Sequence, residues 1–538
     1  MFTGSKSSVL SKKGKNTKII DLKGKCLMPG FFDPHSHVVL QSVKFSVANL
    51  DPKPIGEAGS IEDIKNILKT WITEKKPKKG EWIIGWGYDD TGITDARHPN
   101  RDDLDEVSKD HPILLMHISA HLMTGNSKML EITNLNAKTP DPDGGVIQRR
   151  AGSNEPNGVL EENAMMLTLK HLPMPTPEQA IKLLEAGIDF YAEAGITTAQ
   201  DCASSAGTVK LLRTMEESGK LPIDIITWPV YRGLGDELFN EVVKDKGKRG
   251  RLRLGGIKLT IDGSIQGYTA FLSEPYHVQP GANVKPVADK CDSKNAEHLF
   301  IAPDLDKPDD SASKGYASMT QENIDGWVKR CDENNVSMQV HCNGDAATDL
   351  LINAIKKHRS GKNNLDLRTN IIHAQTMRED QLDFTAKNNM TVSFFPIHVY
   401  FWGDRHRDIF LGPKRAERIN PSRSALKRNI KVSLHHDAPI AGISMLQVAW
   451  ASVNRVTSSG KKLGEEQCIT PYEAMRAITI DSAWQNFEED RKGTLEVNKL
   501  ADLVILSDDP LIIDPMKIRE IKVLETIKEG KTVFSKNS

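Results

Sequence analysis

The stretch "LMPGFFDPHSH", Leu27 to His37, decides how the fold is predicted, because two histidines stand one residue apart at the end of a short apolar run. In a β-strand, side chains two positions apart lie on the same face, so the imidazoles of His35 and His37 can converge on one point. Two convergent imidazoles offer two ligands to a metal ion. The alternative is a pair of histidines on a hydrated strand end, and the rest of the chain must distinguish the two.

Seven further short apolar runs end in polar or titratable residues, and helix-like segments separate most of them. This order is typical of parallel strands that are covered by helices. The helical pattern is clear in residues 176–194, where Thr176 can cap the first turn. Eight such units predict an α/β fold, a (β/α)8 TIM barrel, with a doubly wound sheet as the alternative. The eight runs are 30–37, 195–201, 224–231, 255–262, 336–343, 370–375, 390–396 and 431–437.

Two segments interrupt the predicted barrel, which spans residues 30–488. The first two runs are separated by far more residues than a crossover helix needs, so we expect a large insertion after strand 1, an inserted subdomain at about 44–165. Residues 274–316 are rich in Pro, Asp, Lys and Ser and predict a long loop over the mouth of the barrel. Strand-like patterns at both chain ends predict a small β-sandwich domain, formed by residues 1–29 and 489–538.

The charge balance of the chain argues against a polyanionic partner. Lys and Arg number 71 and Asp and Glu number 72, so we expect no nucleic acid and no acidic membrane surface as partner. No apolar run is long enough to span a membrane, and the first residues lack the apolar core of a secretory signal. The six cysteines include no CxxC pair, which suits reduced thiols. These observations predict a cytoplasmic location.

Three further predicted strands carry a potential metal ligand at the carboxyl end, namely His341, His373 and Asp437. In a barrel, the carboxyl ends of the strands surround one axial point, where His35 and His37 would also lie. A single histidine at a strand end is commonly an ordinary polar residue, but five such groups at consistent ends are hard to assign to chance. Four imidazoles and one carboxylate predict a site for a divalent metal ion.

Lys258, in the fourth run, is flanked by apolar residues and would point into the same barrel. A buried ammonium group is costly unless it is paired, neutralised or modified. Carbamylation by CO₂ would turn this lysine into an anionic ligand that can bridge two metal ions. The alternative is a salt bridge to Asp262 or to another carboxylate, and the residues alone leave the two open.

Eight motifs that span nearly the whole chain share one resemblance. In this order they are specific for one branch of hydrolases, and the chain resembles the metal-dependent amidohydrolase superfamily. Within it, the chain is similar to the amidohydrolase family 3 branch, which includes N-substituted formamide deformylase-like proteins. The motifs are "LMPGFFDPHSH", "GVLEENA" (158–164), "GITTAQD" (195–201), "KLTIDGS" (258–264), "VHCNGDAA" (340–347), "IIHAQ" (371–375), "HHDAPI" (435–440) and "GTLEVNKLADLVIL" (493–506).

The resemblance implies a role for each potential ligand. Lys258 falls where a number of superfamily members carry a carboxylated bridging lysine, and an unmodified lysine would favour a single metal ion. Zinc suits the imidazole and carboxylate ligands best, while Fe, Mn, Co or Ni could occupy the same set, with one or two ions per chain. The resemblance implies that His35, His37 and Asp437 bind the more buried ion and that His341 and His373 bind the second.

Residues outside the ligand set are expected to contact the substrate. In "HISAHLMTGNS" (117–127), His121 matches a family histidine that reaches the pocket from the insertion, although it could be structural. Strand alternation aims His435 toward the metals, where it could touch substrate, and His436 away from them. A further segment, "PIHVYFWGDRHRD" (396–408), would form a pocket wall or a solvated loop tip. Its candidate substrate-binding residues are His398, Trp402, Arg405 and His406, of which Arg405 could fix a carboxylate or orient an acidic neighbour.

The resemblance implies hydrolysis of a C–N bond in an amide-like, non-peptide small molecule by a metal-activated hydroxide. Asp437 would be the general base, and His121 would help to hold the developing oxyanion. Alternatives are hydrolysis of an ester, lactone or cyclic imide, deamination, or a non-catalytic binding or regulatory protein on the same fold. By analogy, the chain could form a homodimer. Relatives usually begin with extra β-strands, so we expect the sandwich to be incomplete at its N-terminal side.

Overall fold

The computed structural model describes residues 4–17, 19–52, 55–173, 175–245, 250–280, 312–359 and 366–536. Most of the loop predicted at 274–316 lies outside the described residues. In chain order, the strands are β1 (Cys26–Pro29), β2 (Phe31–Phe32), β3 (Ala48–Asn49), β4 (Ile83–Tyr88), β5 (Ile113–His117), β6 (Leu122–Gly125), β7 (Gly145–Arg149), β8 (Pro156–Glu162), β9 (Ile196–Ser204), β10 (Asp224–Pro229), β11 (Leu252–Leu254), β12 (Ile257–Thr260), β13 (Met338–Cys342), β14 (Asn370–His373), β15 (Thr391–Phe394), β16 (Val432–Leu434), β17 (Leu503–Leu506), β18 (Val523–Lys528) and β19 (Lys531–Ser535).

Helices precede, separate and follow these strands. They are α1 (Lys6–Leu10), α2 (Val38–Lys44), α3 (Ile61–Lys75), α4 (Arg101–Asp105), α5 (Ser127–Thr133), α6 (Met166–Leu169), α7 (Pro177–Glu193), α8 (Ala206–Glu217), α9 (Asp236–Asp245), α10 (Gln321–Glu333), α11 (Asp345–Arg359), α12 (Glu379–Lys387), α13 (Ile397–Arg405), α14 (Gly412–Ala416), α15 (Ser422–Lys427), α16 (Met445–Asn454), α17 (Pro471–Ala477) and α18 (Ile480–Gln485). Among the described helices, none combines the length and the apolar character that a membrane crossing requires.

Two parallel sheets contain the eight predicted strands. One has the order β11-β10-β9-β2 and the other the order β12-β13-β14-β15-β16. A parallel bridge between Val230 and Lys258 joins the end of β10 to β12. Beyond β2 and β16, the N–H of His37 donates to the carbonyl oxygen of Ala438 at 2.8 Å. Each of the eight apolar runs therefore contains one parallel strand, as the sequence predicts.

Helix α7 shows why the helical segments of the sequence form where they do. Thr176 precedes the helix, and its side chain accepts a hydrogen bond from the backbone N–H of Gln179. The side chain of Gln179 in turn accepts a hydrogen bond from the backbone N–H of Thr176. This reciprocal pair satisfies two N–H groups of the first turn. The inner face of the helix buries Ile188 and Tyr191 in the core around the parallel strands. The predicted capped helix is confirmed.

A third sheet lies between β2 and β9 in the sequence. It has the mixed order β3-β4-β5-β6-β8-β7, with parallel pairs on the β3 side and antiparallel pairs on the β7 side. Helix α3 packs against it, and the side chains of Ile64, Leu68, Ile83 and Leu115 belong to a core cluster of their own. Burial of this separate apolar cluster gives the third sheet its own source of stability.

Both ends of the chain meet in a fourth sheet, which is antiparallel and has the order β1-β17-β18-β19. Among the described residues, the two segments for which a sandwich is predicted contribute strands to this single sheet. A buried ionic network attaches it to the parallel strands, because Asp224 Oδ2 at the start of β10 lies 2.7 Å from Nζ of both Lys492 and Lys528. Lys528 Nζ also lies 2.7 Å from Asp502 Oδ2.

Candidate metal centre

The structure brings the histidine pair into contact with Asp437. His35 and His37 follow β2, and Asp437 follows β16, where a positive φ of 54 turns the chain. Asp437 Oδ1 lies 3.5 Å from His35 Nε2 and 3.3 Å from His37 Nε2. These three side chains form one potential set of metal ligands. The two imidazoles converge on the carboxylate as predicted, but they do so from the bend after β2 and not from a strand, because His35 lies in the bend and His37 in an isolated bridge.

A second set of imidazoles lies on the other side of the same carboxylate. His341 in β13 and His373 at the end of β14 are neighbours, with 3.1 Å between His341 Nδ1 and His373 Nε2. His373 Nε2 lies 3.8 Å from Asp437 Oδ2. Asp437 therefore directs one oxygen toward each pair of histidines. All five predicted ligands of this type are brought together.

The donor set fits a divalent metal ion. Bonds of about 2.0–2.2 Å to nitrogen and oxygen, arranged tetrahedrally, place neighbouring ligand atoms a little over 3 Å apart. The atom pairs around Asp437 are 3.1–3.8 Å apart. Among the described residues, Asp437 Oδ1 is buried without a hydrogen-bond partner, as expected of an oxygen that is reserved for a ligand. Imidazole and carboxylate ligands together suit zinc and its first-row neighbours.

The protonation states of these groups suit metal binding. Burial lowers the pKa of His35, His341 and His373 well below the ordinary value, so each imidazole is neutral near pH 7. Burial alone would raise the pKa of Asp437, but the neighbouring imidazoles of His37 and His35 outweigh burial and lower it. Neutral imidazoles and an ionised carboxylate are the forms that ligate a metal.

His435 and His436 point in opposite directions from the end of β16, which confirms the predicted alternation. His435 Nε2 lies 3.1 Å from His373 Nδ1, and its Nδ1 lies 2.8 Å from the hydroxyl of Ser393. His436 instead faces Asp33, with 3.4 Å between its Nε2 and Asp33 Oδ2. His435 forms a second potential ligand set with His373 and Asp437, and its contact with substrate stays a prediction.

Lys258 lies beside the first set of ligands. Its Nζ is 3.4 Å from His35 Nε2, the side chain is buried, and burial lowers the pKa of the ammonium group to about 8. The alternative of a salt bridge to Asp262 is wrong. Asp262 accepts hydrogen bonds from the backbone N–H groups of Phe271, Asn343 and Gly344, and among the described residues Lys258 has no carboxylate within ion-pair distance. A buried amine that loses its proton near neutral pH is suited to carbamylation.

His121 reaches the centre from the third sheet, immediately before β6. Its ring centroid lies 5.0 Å from that of His341, and its Nδ1 lies 3.0 Å from Glu162 Oε2. Burial alone would lower the pKa of His121, but the charge and the hydrogen bond of Glu162 outweigh burial and raise it. The sequence analysis did not identify Glu162 as a site residue, although Glu162 stands in the motif "GVLEENA". In the structure, the backbone at Glu162 has a positive φ of 49°.

The predicted wall segment forms α13 and the π-helical turn that follows it. Trp402 Nε1 donates to Asp89 Oδ2 at 2.9 Å, and Arg405 Nη1 donates to the same oxygen at 2.8 Å. Asp89 is fully buried and belongs to the turn after β4. The alternative prediction, that residues 396–408 form a solvated loop tip, is therefore wrong. Arg405 orients an acidic neighbour, which is one of its two predicted roles, and this contact joins α13 to the third sheet.

The two histidines of this wall lie at different depths. The ring of His398 lies 6.3 Å from that of His373, and burial lowers the pKa of His398 to about 3. His406 is a little over two helical turns further along and contacts Gln375, with 3.0 Å between His406 Nε2 and Gln375 Nε2. His398 is therefore the wall residue that approaches the ligand set, as a neutral imidazole.

A third group of potential ligands lies in the third sheet, formed by Asp89, Asp90 and His117. His117 Nε2 lies 3.1 Å from Asp90 Oδ1, and Asp89 is bound by Arg405 and Trp402. A metal ion at this place would displace side chains that already contact the carboxylates of Asp89 and Asp90. The ligand set around Asp437 is thus the better metal site.

The chain belongs to the amidohydrolase family, whose family model matches residues 18–534. The N-substituted formamide deformylase of Arthrobacter pascens is 25% identical, over 98% of this chain and 92% of that protein. The putative amidohydrolase YtcJ of Bacillus subtilis (strain 168) is 26% identical, over 99% of this chain and 94% of that protein. The crystal structure of an uncharacterized metal-dependent hydrolase from Pyrococcus horikoshii OT3 has a TM-score of 0.69 at 23% identity, and covers 95% of this chain and 91% of that chain.

Proposed function

We propose that this protein is a metal-dependent hydrolase that cleaves a C–N bond, other than a peptide bond, in an amide-like small molecule. The observation that carries the proposal is the position of Asp437, whose two oxygens face His35 and His37 on one side and His373 on the other. A single carboxylate between two groups of imidazoles is suited to hold metal ions and to exchange a proton at the same point.

The proposed fold places this centre at the mouth of a (β/α)8 barrel. The bridge between Val230 and Lys258 makes the two parallel sheets continuous, and the contact between His37 and Ala438 brings their outer ends together. In the proposal, residues 30–488 form the barrel, and the third sheet is a subdomain inserted after its first strand. Residues 1–29 and 489–538 form a small sandwich-like unit. The four histidine ligands and Asp437 then lie at or just beyond the carboxyl ends of strands, where such barrels bind their substrates, while Lys258 lies within β12.

The proposed centre would hold two divalent ions, with zinc as the proposed metal. His35, His37 and Asp437 would hold the first and His341 and His373 the second, and Lys258, if carboxylated, would add an anionic ligand. When bound, the metal lowers the pKa of water and polarises the carbonyl group under attack. Lys258 supports this arrangement because its Nζ lies 3.4 Å from His35 Nε2 and is deprotonated near neutral pH more easily than an ordinary lysine.

The residues of the chain move the protons in the proposed reaction. Asp437 accepts the proton of the attacking water, since its carboxylate is ionised, buried and placed between the two groups of imidazoles. Asp437 then returns this proton to the leaving nitrogen as the C–N bond breaks. His121, held at Nδ1 by Glu162, stabilises the negative charge that develops on the carbonyl oxygen. His398 forms the neutral wall that faces the substrate.

The name of the Arthrobacter relative, an N-substituted formamide deformylase, supports the choice of a C–N bond. The direct test compares matched amide and ester pairs, including N-substituted formamides, with the zinc-loaded protein. We expect turnover of at least one amide with a higher kcat/KM than its matched ester. Ester or lactone hydrolysis alone would contradict the proposed C–N bond, and cyclic imide hydrolysis alone or deamination alone would contradict the proposed class of substrate. Retained metal with no hydrolysis of any member of the panel would contradict an enzymatic function.

A further inference from the structure

Three buried amide side chains connect a helix end to His35. Asn486 follows α18, Gln200 lies in β9 and Gln339 lies in β13. They are 3%, 0% and 1% exposed. Consecutive members are in hydrogen-bond contact, and Gln339 contacts His35. None of the three has a role in the proposed reaction. Buried amides that form an unbroken chain fix one another's orientation, because each offers a donor at one end and an acceptor at the other.

The orientation of the three amides is determined from Asn486, which lies farthest from His35 in the row. Asn486 Nδ2 donates to the carbonyl oxygen of Ser482 at 2.9 Å, so its Oδ1 is left to face Gln200. Gln200 Nε2 donates to Asn486 Oδ1 at 3.0 Å. Gln200 Oε1 must then accept, and it does so from Gln339 Nε2 at 2.6 Å. Each amide thus transmits the direction that the Ser482 carbonyl imposes.

The near end confirms the same orientation independently. Gln339 Nε2 lies 3.3 Å from the carbonyl oxygen of Pro34, which can only accept a hydrogen bond. The opposite end of the amide, Gln339 Oε1, therefore faces His35 Nδ1 at 3.0 Å. The thiol of Cys202 donates to the same Oε1 at 3.1 Å. Since Oε1 has no hydrogen to donate, His35 must carry its proton on Nδ1 and present the lone pair of Nε2 toward Asp437.

We propose that Asn486, Gln200 and Gln339 form a positioning relay that fixes His35 in the Nδ1–H tautomer and so sets the metal affinity of the first site. The inference rests on the proposed metal centre and adds residues that no strand-end pattern identifies. His37 reaches the same tautomer by a different route, because its Nδ1 donates to the backbone carbonyl of Cys202, which no substitution removes. The relay makes the tautomer of His35 depend on side chains that can be changed one at a time.

The test uses two substitutions of Gln339. Both remove the hydrogen-bond donors of its amide, and only one of them also removes the acceptor for His35. Gln339→Met nearly preserves the volume of the side chain but removes both the acceptor for His35 and the donors to Pro34 and Gln200. Gln339→Glu removes the same donors and keeps the acceptor. Zinc affinity is measured on the full-length chain, after removal of metal, by competition with a chromophoric chelator, and thermal unfolding is followed without metal. Gln381→Met is the matched control, because Gln381 is an equally buried amide that bonds Asp345 and Asp349, away from the relay.

We expect Gln339→Met to weaken zinc binding about 10–100-fold and Gln339→Glu to bind within about threefold of wild type, although both unfold at lower temperature. Gln381→Met should lower thermal stability alone. Equal losses of affinity in the two Gln339 variants, or none in Gln339→Met, would overturn the relay and leave the proposed function intact. Failure of the wild-type chain to bind zinc would contradict both. Gln200→Met removes both links that Gln200 makes and leaves the contact between Gln339 and His35, so it should weaken zinc binding by a smaller factor. This variant decides the matter if Gln339→Met does not fold, and wild-type affinity in it would overturn the relay.

Discussion

Replacement of Arg405 by Met should destabilise the contact between α13 and the third sheet by about 3 kcal/mol. The Arg405 guanidinium lies 2.8 Å from the buried carboxylate of Asp89. Charges at that distance attract by about 6 kcal/mol at an effective dielectric constant near 20, and desolvation offsets part of this. Loss of one partner of a buried pair costs about 3–5 kcal/mol. The lower end applies because Asp89 keeps its hydrogen bonds from Trp402 and Thr91.

The assay is urea unfolding, followed by far-UV circular dichroism and by tryptophan fluorescence, to which Trp402 contributes as one of eight tryptophans. The matched control is Arg407→Met. Arg407 is as exposed as Arg405 but pairs with the partly exposed Asp404 and Asp408, so its loss should cost less than about 1 kcal/mol. Adding Asp89→Asn to Arg405→Met should recover part of the loss, because an unpaired buried charge is replaced by a neutral amide.

The pH dependence of stability gives a second measure of the same pair. Burial alone would raise the pKa of Asp89, but the Arg405 charge outweighs burial and lowers it below its ordinary value. A lowered folded-state pKa contributes stability that is present above about pH 3.9 and is lost as the pH falls further. Arg405→Met should reduce this acid-dependent loss. The reasoning is refuted if Arg405→Met costs no more than Arg407→Met, or if Asp89→Asn destabilises the variant further.

Three other substitutions test the centre and its support. Asp437→Asn should lower kcat by about 10²–10⁴-fold while the circular dichroism spectrum is unchanged, and near-normal turnover would contradict its role as general base. Lys258→Met should reduce the metal content from two equivalents to one and abolish any dependence on bicarbonate, whereas two retained ions would exclude a carboxylated bridging lysine. Asp224→Asn should cost about 3 kcal/mol in urea unfolding, because Lys492 and Lys528 lose their shared buried carboxylate, and a change below about 1 kcal/mol would contradict that network.

The parallel strands could be predicted because their chemistry is local. A strand that is buried on both faces appears in the sequence as a short apolar run, and the polar residue that ends it marks the carboxyl end. The third sheet could not be derived in the same way. Its strands pair in a mixed order across residues 48–162, and the partner of each strand depends on packing that no local pattern records. The sequence predicted an insertion there but no strand within it.

The ligand set could be predicted for a related reason. His35, His37, His341, His373 and Asp437 each stand at the carboxyl end of a predicted strand, and parallel strands bring those ends together. The groups that hold the ligands in place carry no such signal. Gln339 lies within β13 as an ordinary polar residue, and 304 positions separate it from the histidine it orients. Likewise, 316 positions separate Arg405 from Asp89, so only the folded chain shows that they pair.

The most direct test of the central claim is the metal content of each chain, measured by inductively coupled plasma mass spectrometry. The protein is purified without chelators, with zinc and bicarbonate in the medium, and the same preparation is assayed for amide hydrolysis. The account predicts about two equivalents of metal and turnover that is lost when the metal is removed. Absence of bound metal, even after reconstitution with zinc, would contradict the metal centre around Asp437 and the hydrolase proposed on it.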